Sequence, residues 1–375
     1  MELKDIQKRV IAEVDLNALE ANYNMLPKPA CCVVKADAYG HGAVEVSKFL
    51  ENKGADYFAV SNIEEALELR NASIKAHIII LGFTPPSCAK ILADNNIEQC
   101  VFSLDYANEL NEYAKKNNVK VNIHIKIDTG MGRIGFQVHG EHDEVGLAFS
   151  ACRLSNLVPY GIFTHFAKAD EGINDYTKMQ YDSFIKALNY LEKNGVKFKV
   201  RHCSNSSAIL DYKDYKLDMV RAGIILYGVN PSPYPHPLKN VLTLKSVVSH
   251  VKEINKGDYV SYNGLFKANT LTKIATVPIG YADGVCRSST GFYVIINGKK
   301  CEIVGRVCMD QLMVKSIDAK VGDEVIIYGE ELSVDDAAKY NHSSPYTLLC
   351  NIARRVPRVY KYNGEIINIR DELVK

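Results

Sequence analysis

The sequence lacks an excess of either charge, a long apolar run and closely paired cysteines. Its 375 residues include 45 Lys and Arg against 44 Asp and Glu, so no long-range field would draw the chain to nucleic acid or to an anionic membrane. No stretch approaches the roughly 18 to 20 apolar residues of a membrane span. The first residues, MELKDIQKRV, alternate in charge where a signal peptide would be apolar. We therefore expect a cytoplasmic protein whose partner is a small molecule.

The ten cysteines contain no C-x-x-C pair, and most lie in apolar runs where a thiol behaves as a small hydrophobe. A disulfide framework is therefore not expected, and no metal site is assigned. Hydrophobic residues make up 47% of the chain and charged residues 24%, which is ordinary for a globular protein and excludes disorder over most of the length. The length predicts about two to three domains, or one large barrel with an appendage.

Short apolar runs alternate with helical segments over the first part of the chain. The helical segments have amphipathic spacing, as in IEEALELR, YANELNEYAKKNN and YTKMQYDSFIKALNYLEKNG. Eight strands alternating with helices over about 200 residues predict an α/β fold, a (β/α)8 TIM-type barrel, although a doubly wound open sheet has the same alternation. The eight runs are CCVVKA (31–36), DYFAV (56–60), HIIILG (77–82), QCVFS (99–103), VNIHIKID (121–128), VPYGIFTHF (158–166), FKVRHCS (198–204) and MVRAGIILYG (219–228).

The alternation stops at a proline-rich segment, NPSPYPHPLKN, whose four alternating prolines exclude both a helix and a regular strand ladder. Beyond it, strand-like segments such as VLTLKSVVSHVKEI, TKIATVPIG and DEVIIYG are separated by Gly, Asp and Asn. We therefore predict a barrel domain over residues 1–235, whose first residues could pack against the second domain. A mostly β domain with one or two helices near its end would cover residues 236–375.

Polar residues at the ends of the barrel strands are the candidates for chemistry, because barrel active sites form at the carboxyl ends of the strands. Lys35 ends the first run and is followed by ADAYGHG, a turn with two glycines. Most lysines in such a position are solvated charges. An apolar strand on one side and a glycine turn on the other could nevertheless desolvate this amine enough for it to attack a carbonyl carbon.

The fifth run ends in Lys126 and Asp128 and leads into TGMGRIG, which matches the G-x-G-x-x-G pattern of dinucleotide sites. Such a site also needs an acidic residue about 20 positions further on. The segment SACRLSNLVPY (150–160) contains none. We therefore interpret the glycines as a structural turn that aims Arg133, rather than as a nicotinamide site.

The later strand ends suggest an anion site. Ser206 and Ser207 could cap the helix that follows them, or donate to a phosphate together with glycine amides. A phosphate site opposite an amine on the first strand predicts a phosphorylated aldehyde cofactor, for which pyridoxal phosphate is the obvious candidate. The other polar residues at these strand ends are Thr164, His165, Asn205, Arg221 and Gly223.

Seven segments, in this order, resemble the alanine racemases, which use pyridoxal phosphate on a barrel followed by a β domain. They cover nearly the whole chain and read VVKADAYGHG, IKIDTGMGRIG, THFAKADE, MVRAGIILYG, VSYNG, IGYADG and RVCMDQ. The resemblance implies an isomerase that interconverts L- and D-alanine, works as a homodimer with shared active sites and supplies D-alanine for peptidoglycan.

The resemblance also implies a role for each matching residue. Lys35 would hold the cofactor covalently and act as one catalytic base, and Tyr262 of the partner subunit would be the other. Arg133 and Tyr281 would bind the substrate, as would Met309 of the partner subunit, and Lys126 matches a position that many members carry as a carbamate. The cofactor would further contact Tyr39, His165, Asn205, Ser206, Arg221, Gly223 and Ile224. The entry corridor would be lined by Asp170, Arg287, Arg306, Ile352 and Arg354.

Racemisation needs two bases, because one proton leaves one face of Cα while another arrives on the opposite face. A free tyrosine has a pKa of about 10, so Tyr262 would need cationic neighbours such as His165 acting with Arg221. Arginine is a poor proton donor. At the ring nitrogen it would leave the pyridine neutral, which should restrain side reactions such as transamination.

One residue departs from the family. Many members have a tyrosine before RVPR, where this chain has Arg354. A longer, cationic side chain could enlarge the pocket or attract a polar substrate, so serine or another small amino acid is an alternative to alanine. A barrel-type amino acid decarboxylase is a further alternative, because Cys308 and Asp310 superficially resemble its active-site segment. A cofactor-carrying binding protein is a third, although such proteins lack the second domain that carries Tyr262.

Overall fold

The computed structural model describes residues 9–374, so most of the amino-terminal segment MELKDIQKRV lies outside the described residues. Within that range, no helix is both long enough and apolar enough to cross a membrane.

Eight parallel strands form the barrel that the sequence predicts. Most positions of these strands are buried, which makes the runs largely apolar, as in His77–Ile80, where the three isoleucines are fully covered. A further strand, β1, belongs to a second sheet, and the short β7 pairs only with the end of β6. The bounds are β1 (Val10–Asp15), β2 (Ala30–Val33), β3 (Tyr57–Val60), β4 (His77–Ile80), β5 (Ile97–Val101), β6 (Val121–Asp128), β7 (Phe136–Gln137), β8 (Leu157–Phe163), β9 (Val200–His202) and β10 (Val220–Ala222).

The strand order distinguishes a barrel from an open sheet. Neighbouring strands run β10-β2-β3-β4-β5-β6-β8-β9. The last barrel strand along the chain, β10, therefore pairs with the first, β2. Backbone bonds from Asp218 N to Arg201 O (3.1 Å) and from Arg221 N to Ser204 O (3.0 Å) then join the β9 and β10 segments. The ring therefore closes, and the prediction of a barrel rather than a doubly wound sheet is confirmed.

Helices connect the strands, and side-chain caps fix where several of them begin. Asn62, Ser103, Asn174 and Asn205 each accept a backbone N–H of the following first turn, which satisfies a donor that the helix itself leaves free. The three helices predicted from spacing are present. The bounds are α1 (Leu16–Asn24), α2 (Lys35–Tyr39), α3 (Ala43–Asn52), α4 (Ile63–Asn71), α5 (Ala89–Asp94), α6 (Leu104–Lys116), α7 (Val145–Cys152), α8 (Asp175–Lys193) and α9 (Ser206–Asp211).

The remainder of the chain is mostly β, with two helices near its end, as predicted. A seven-stranded sheet has the order β17-β16-β19-β11-β1-β20-β21, next to a three-stranded sheet β12-β15-β18 and the pair β13-β14. The bounds are β11 (Leu242–Val247), β12 (His250–Ile254), β13 (Tyr259–Val260), β14 (Phe266–Lys267), β15 (Thr272–Val277), β16 (Tyr293–Ile296), β17 (Lys299–Glu302), β18 (Leu312–Lys315), β19 (Glu324–Tyr328), β20 (Arg358–Tyr362), β21 (Glu365–Arg370), α10 (Val334–Tyr340) and α11 (Pro345–Cys350).

The seven-stranded sheet is completed by the start of the chain. β1 pairs antiparallel with β11 and parallel with β20, and its alternate residues Val10, Ala12 and Val14 are buried. This alternation is typical of a strand with one face on a core. The sheet thus brings β20 and its side chains next to the barrel segment that carries Lys35.

Candidate active site

Lys35 follows β2 closely and begins α2, whose backbone is a left-handed turn. Ala36, Asp37 and Ala38 have φ angles of 52° to 54° although none of them is a glycine. Each L-residue in this region costs about 1–2 kcal/mol. Such a conformation persists only where the surrounding structure over-determines it, and strained segments of this kind cluster at functional sites.

Contacts from the barrel domain and from the second sheet hold this turn. Glu65 of α4 accepts hydrogen bonds from the backbone N–H groups of Ala36 and Ser61, both at 2.7 Å. Arg358 of β20 donates from Nε to the carbonyl oxygen of Gly40 at 3.0 Å. The position of Lys35 is therefore fixed from the barrel and from the second sheet at the same time.

Lys35 has an amine suited to nucleophilic chemistry. Burial lowers its pKa, and the nearby positive charge of Arg133 lowers it further, against the opposing effect of Glu65. A lowered pKa increases the fraction of neutral amine near pH 7, which is the reactive form.

Lys126 lies on β6, and its side chain is 2% exposed as part of the barrel core. Its Nζ donates to the carbonyl oxygen of Ile127 at 2.8 Å and lies 5.4 Å from the centre of the Phe163 ring. Burial lowers the pKa of Lys126 to about 7. A large share of this amine is therefore neutral at physiological pH.

Tyr39, Ser206 and Gly223 converge beyond Lys35 on a small cradle of hydroxyl and amide groups. The backbone N–H of Gly223 donates to Ser206 Oγ at 3.0 Å. A Cβ built on Gly223 would lie 2.7 Å from Tyr39 Oη and 3.5 Å from Ser206 Oγ, so a side chain here would displace the tyrosine hydroxyl. Ile224 follows this cradle and is buried.

Asn205 rather than a serine caps α9, because its Oδ1 accepts the N–H of Ala208 at 3.1 Å. The alternative in which Ser206 or Ser207 caps this helix is wrong, since both lie inside it. The Ser206 hydroxyl is instead turned to Gly223.

Arg221 lies buried on β10, and none of its hydrogen-bond partners within residues 9–374 is a carboxylate. It donates to His202 Nδ1 at 2.9 Å and to the carbonyl oxygens of Thr164 and Cys203 at 2.8 and 3.1 Å. Burial lowers the pKa of Arg221 to about 10, which still leaves it protonated at pH 7. Because a guanidinium has five N–H groups, donors remain for a further acceptor.

His165 is not the cationic residue that the sequence argument assumed. Its Nδ1 lies 3.4 Å from an Arg221 amino nitrogen. Burial lowers the pKa of His165 well below its usual value, and the charge of Arg221 adds to this effect. The imidazole is therefore neutral at pH 7, and Arg221 supplies the positive charge of this pair.

The glycine turn after β6 is structural. Asp128 Oδ1 accepts the backbone N–H groups of Gly130 and Met131 at 3.0 and 2.9 Å. A Cβ on Gly135 would lie 2.8 Å from Asp128 N, so this glycine permits close packing. The strand β7 follows where a dinucleotide site would have a helix. Arg133 is exposed on this turn, and its charge acts on Lys35.

Tyr262, Tyr281 and Met309 form a separate exposed surface on the second part of the chain, here called the Tyr262 face. They are 66%, 42% and 53% exposed. Their loops are joined by bonds from Tyr281 N to Cys308 O (3.0 Å) and from Ser261 Oγ to Arg306 O (2.7 Å). No hydrogen bond between Tyr262 and Lys35 occurs in the described part of the chain.

The predicted corridor residues divide between these two regions. Ile352 is buried, with its Cβ 3.7 Å from the position that a Cβ on Gly40 would take. Arg354 is exposed and lies 3.6 Å from a Glu372 carboxylate oxygen. The remaining members are Asp170, near Tyr346 on the barrel side, and Arg287 and Arg306, on the loops next to the Tyr262 face.

The sequence argument missed Glu65, Arg358 and a buried polar group made of Glu98, His124 and His202. A signal was available for His124 and His202, which are polar side chains inside apolar runs, whereas Glu98 directly precedes the run 99–103. Buried polar side chains need hydrogen-bond partners, and their presence in a strand core indicates a network.

Comparison with known proteins agrees with this geometry. The model of the alanine racemase N-terminal domain matches residues 14–231, and that of the alanine racemase C-terminal domain matches residues 241–360. Alanine racemase 1 of Clostridium acetobutylicum is 43% identical over 96% of this chain and 98% of that protein. Among solved structures, the alanine racemase of Clostridium difficile 630 is 42% identical with a TM-score of 0.93, covering 99% of this chain and 100% of that one. The alanine racemase of Bacillus anthracis with bound L-Ala-P is 36% identical with a TM-score of 0.92, covering 98% of this chain and 99% of that one. The chain therefore belongs to the alanine racemase family of enzymes.

Proposed function

We propose that this chain interconverts L- and D-alanine with pyridoxal 5'-phosphate, by a two-base proton transfer at Cα, in a homodimer that builds each active site from both subunits. In the cell it would supply D-alanine for peptidoglycan from the cytoplasm. The observation that carries the proposal is the position of Lys35, an amine of lowered pKa on a strained turn beside the cradle of Tyr39, Ser206 and Gly223.

The residues near Lys35 fit pyridoxal phosphate. The hydroxyls of Tyr39 and Ser206 are suited to donate to phosphate oxygens, and the missing side chain of Gly223 leaves room for them. Arg221 has N–H groups left for a ring nitrogen acceptor. When bound, the cofactor supplies an electron-withdrawing ring that stabilises negative charge at Cα.

Two bases on opposite faces would then move the proton. The Lys35 amine would take or return it on one face, and the phenol of Tyr262 of the partner subunit would do so on the other. His165 is suited to assist the phenol, because a neutral imidazole that accepts from Arg221 at Nδ1 keeps Nε2–H as a donor. Arg221 would place positive charge behind that donor and so favour the phenolate.

The Tyr262 face supports a shared site. Tyr262 is mostly exposed and follows Ser261, whose φ of 64° lies in the left-handed region. Leu265 and Leu271 on the same stretch of chain are 53% and 63% exposed. Exposed apolar side chains that cluster on one surface indicate a protein interface, and a second copy would place this face over the Lys35 site of its neighbour.

The proposal predicts that L-alanine in D2O, with added cofactor, yields both enantiomers with deuterium at Cα. A racemase scrambles the configuration, a decarboxylase releases carbon dioxide, and a carrier does neither. Proton NMR of the Cα signal combined with chiral chromatography measures all three outcomes. Retention of both the Cα proton and the L configuration would contradict the proposal.

Serine remains a second candidate substrate because of Arg354. This side chain is exposed and pairs with Glu372 at 3.6 Å, an outward orientation that leaves the pocket larger than a tyrosine would. The same exchange experiment with L-serine ranks the two substrates by kcat/KM. Equal values would exclude an alanine-specific enzyme.

Lys126 is expected to carry a carbamate. A neutral buried amine reacts with CO2 to form the carbamate anion and release one proton. That anion would be stabilised by the positive charges of Arg133 and Arg221, which both act on Lys126. Because burial lowers the pKa of Lys126 to about 7, labelling should rise as the pH increases through about 7, where the neutral form becomes dominant.

The measurement is 13C NMR in 13C-bicarbonate, with a carbamate signal that disappears in Lys126→Ala. Lys28→Ala is the matched control and should keep the carbamate signal. Burial also lowers the pKa of Lys28, to about 8, but its Nζ donates to Tyr23 O at 2.9 Å outside the site. A signal that persists in Lys126→Ala, or its absence from the unmodified protein, would exclude the carbamate.

A further inference from the structure

A line of hydrogen-bonded side chains crosses the barrel interior from Arg221 to His77. Arg221 NH1 lies 2.9 Å from His202 Nδ1, and His202 Nε2 lies 3.0 Å from His124 Nδ1. His124 Nε2 lies 2.6 Å from Glu98 Oε2, and Glu98 Oε1 lies 2.6 Å from His77 Nδ1. The five residues come from β10, β9, β6, β5 and β4 in that order.

The middle of this line is sealed from solvent. His124 and His202 are 0% exposed and Glu98 is 1% exposed, whereas the side chain of His77 is 43% exposed at the start of β4. A buried carboxylate and two buried imidazoles are costly unless each is hydrogen-bonded. The line satisfies both carboxylate oxygens of Glu98 and all four ring nitrogens of the two imidazoles.

The neighbouring strand is shaped around the two imidazoles. β6 and β9 are separated by β8, and a Cβ on Gly161 of β8 would lie 2.2 Å from His124 Nδ1. The ring of Phe163, also on β8, stacks on His202 with centroids 4.9 Å apart and an interplanar angle of 5°. The rings therefore have little freedom to turn away from each other.

From Arg221 to Glu98 the donors of the line all point in one direction, and His77 donates to Glu98 from the other end. A guanidinium only donates, so His202 Nδ1 must accept and its proton must sit on Nε2. That proton is donated to His124 Nδ1, which leaves the His124 proton on Nε2 to be donated to Glu98. The guanidinium at one end and the carboxylate at the other thus require the same tautomer of each histidine, and this tautomer presents an acceptor to Arg221.

The charge states agree with this direction. Burial alone would raise the pKa of Glu98, but hydrogen bonds from His124 and His77 outweigh it and lower the pKa to about 2. Burial lowers the pKa of His202 well below its usual value, and the charge of Arg221 adds to this. At pH 7 the line therefore consists of a cation and an anion joined through two imidazoles, with His202 neutral.

We propose that Glu98 is a positioning residue for Arg221, acting through the tautomers of His124 and His202. A donor in place of Glu98 Oε2 would make His124 Nε2 accept, so that both imidazole protons move to Nδ1, and the His202 proton would then face an N–H of Arg221 and push the guanidinium aside. The carboxylate also stays two imidazoles away from Arg221, so it orients the guanidinium without pairing with it directly. That the oriented guanidinium then faces the ring nitrogen of the cofactor rests on the proposed function.

Glu98→Gln tests this proposal, because it keeps the shape of the side chain but replaces one of the two acceptor oxygens by an NH2 donor that can face His124. The first measurement is 15N NMR of the histidine-labelled apo protein, with the His202 signals assigned by their loss in His202→Asn. We expect His202 Nδ1 to be unprotonated in the parent protein and to become partly or wholly protonated in Glu98→Gln. An unchanged tautomer in Glu98→Gln would overturn the proposal.

The second measurement separates positioning from folding. With cofactor bound, Glu98→Gln should lower kcat about 10- to 100-fold, change KM about twofold at most and shift the visible absorption band. His77→Gln is the matched control at the exposed end, since it leaves the carboxylate and its bond to His124 in place, and it should stay within about twofold of the parent. Equal losses in both variants would indicate a structural role and overturn the proposal.

A second variant, at the centre of the line, keeps the proposal testable if Glu98→Gln does not fold. His124→Gln is expected to reproduce the changed His202 tautomer. In addition, the effect of Glu98→Gln on kcat should disappear when Arg221 is already replaced by Lys, because Glu98 is proposed to act only through the Arg221 guanidinium. Additive effects would contradict the proposal. The tautomer measurement needs no turnover, so a protein without racemase activity but with the expected NMR change would refute only the proposed function.

Discussion

Lys35→Ala is expected to lower kcat for L-alanine racemisation by roughly three orders of magnitude or more. The proposed mechanism uses this amine twice, to hold the cofactor and to move the proton on one face of Cα. The other buried lysine of the site, Lys126, donates to its own strand at Ile127 and is not placed to replace it. Steady-state racemisation measures the loss, and borohydride reduction followed by peptide mass spectrometry should place the cofactor on residue 35 of the parent protein only.

Lys28→Ala controls for the effect of a lowered pKa alone. Burial lowers the pKa of Lys28 to about 8, but its amine is held against Tyr23 and away from the cradle. It should retain activity within about twofold of the parent, as surface changes away from a site usually do. Activity in Lys35→Ala above one tenth of the parent value, with circular dichroism showing a folded protein, would remove Lys35 from the mechanism.

Local patterns in the sequence were sufficient for the barrel and insufficient for the second sheet. Most positions of the barrel strands are buried, so each strand appears as a largely apolar run that needs no partner to be recognised. The pairing of β1 with β20 joins residues at opposite ends of the chain, such as Ala12 and Arg358. No local spacing encodes a pairing of that sequence separation, which depends on the packing of the whole second sheet.

The site was predictable where function lies at strand ends and unpredictable where it depends on distant contacts. Lys35 and Ser206 could be identified as candidates because each lies at or just after the end of an apolar run. The left-handed turn after Lys35 contains alanine and aspartate where a glycine would have signalled it, and it depends on Glu65 and Arg358 from other parts of the chain. The neutral state of His165 likewise depends on how deeply the fold buries it beside Arg221.

Under the proposed function, one subunit carries only part of each catalytic apparatus. Lys35, Arg221 and Ser206 share the carboxyl end of the barrel, whereas Tyr262 is exposed on a loop of the second part of the chain. If the partner subunit's Tyr262 completes the site, then the two catalytic bases of each site belong to different chains. Variants of the two bases should therefore complement each other in a mixed dimer.

Mixing Lys35→Ala with Tyr262→Phe subunits is expected to restore about a quarter of the parent activity, since random pairing makes about half of the dimers hybrid and each hybrid has one intact site. Each variant alone should be almost inactive, because it lacks one base in both sites. Differently tagged subunits, co-expressed and purified over both tags, isolate the hybrids, whose activity should reach about half that of the parent.

A pair of variants from the same half of the site provides the control. Hybrids of Lys35→Ala with Arg221→Glu should carry one damaged residue in each site, because Lys35 and Arg221 of one chain both act electrostatically on its His165 and are proposed to serve the same site. Their activity should equal the mean of the activities of the two single-variant dimers. Recovery in this control, or no recovery in purified hybrids of Lys35→Ala with Tyr262→Phe, would mean that Tyr262 does not act across the dimer. A base within the same chain would then have to serve the second face of Cα.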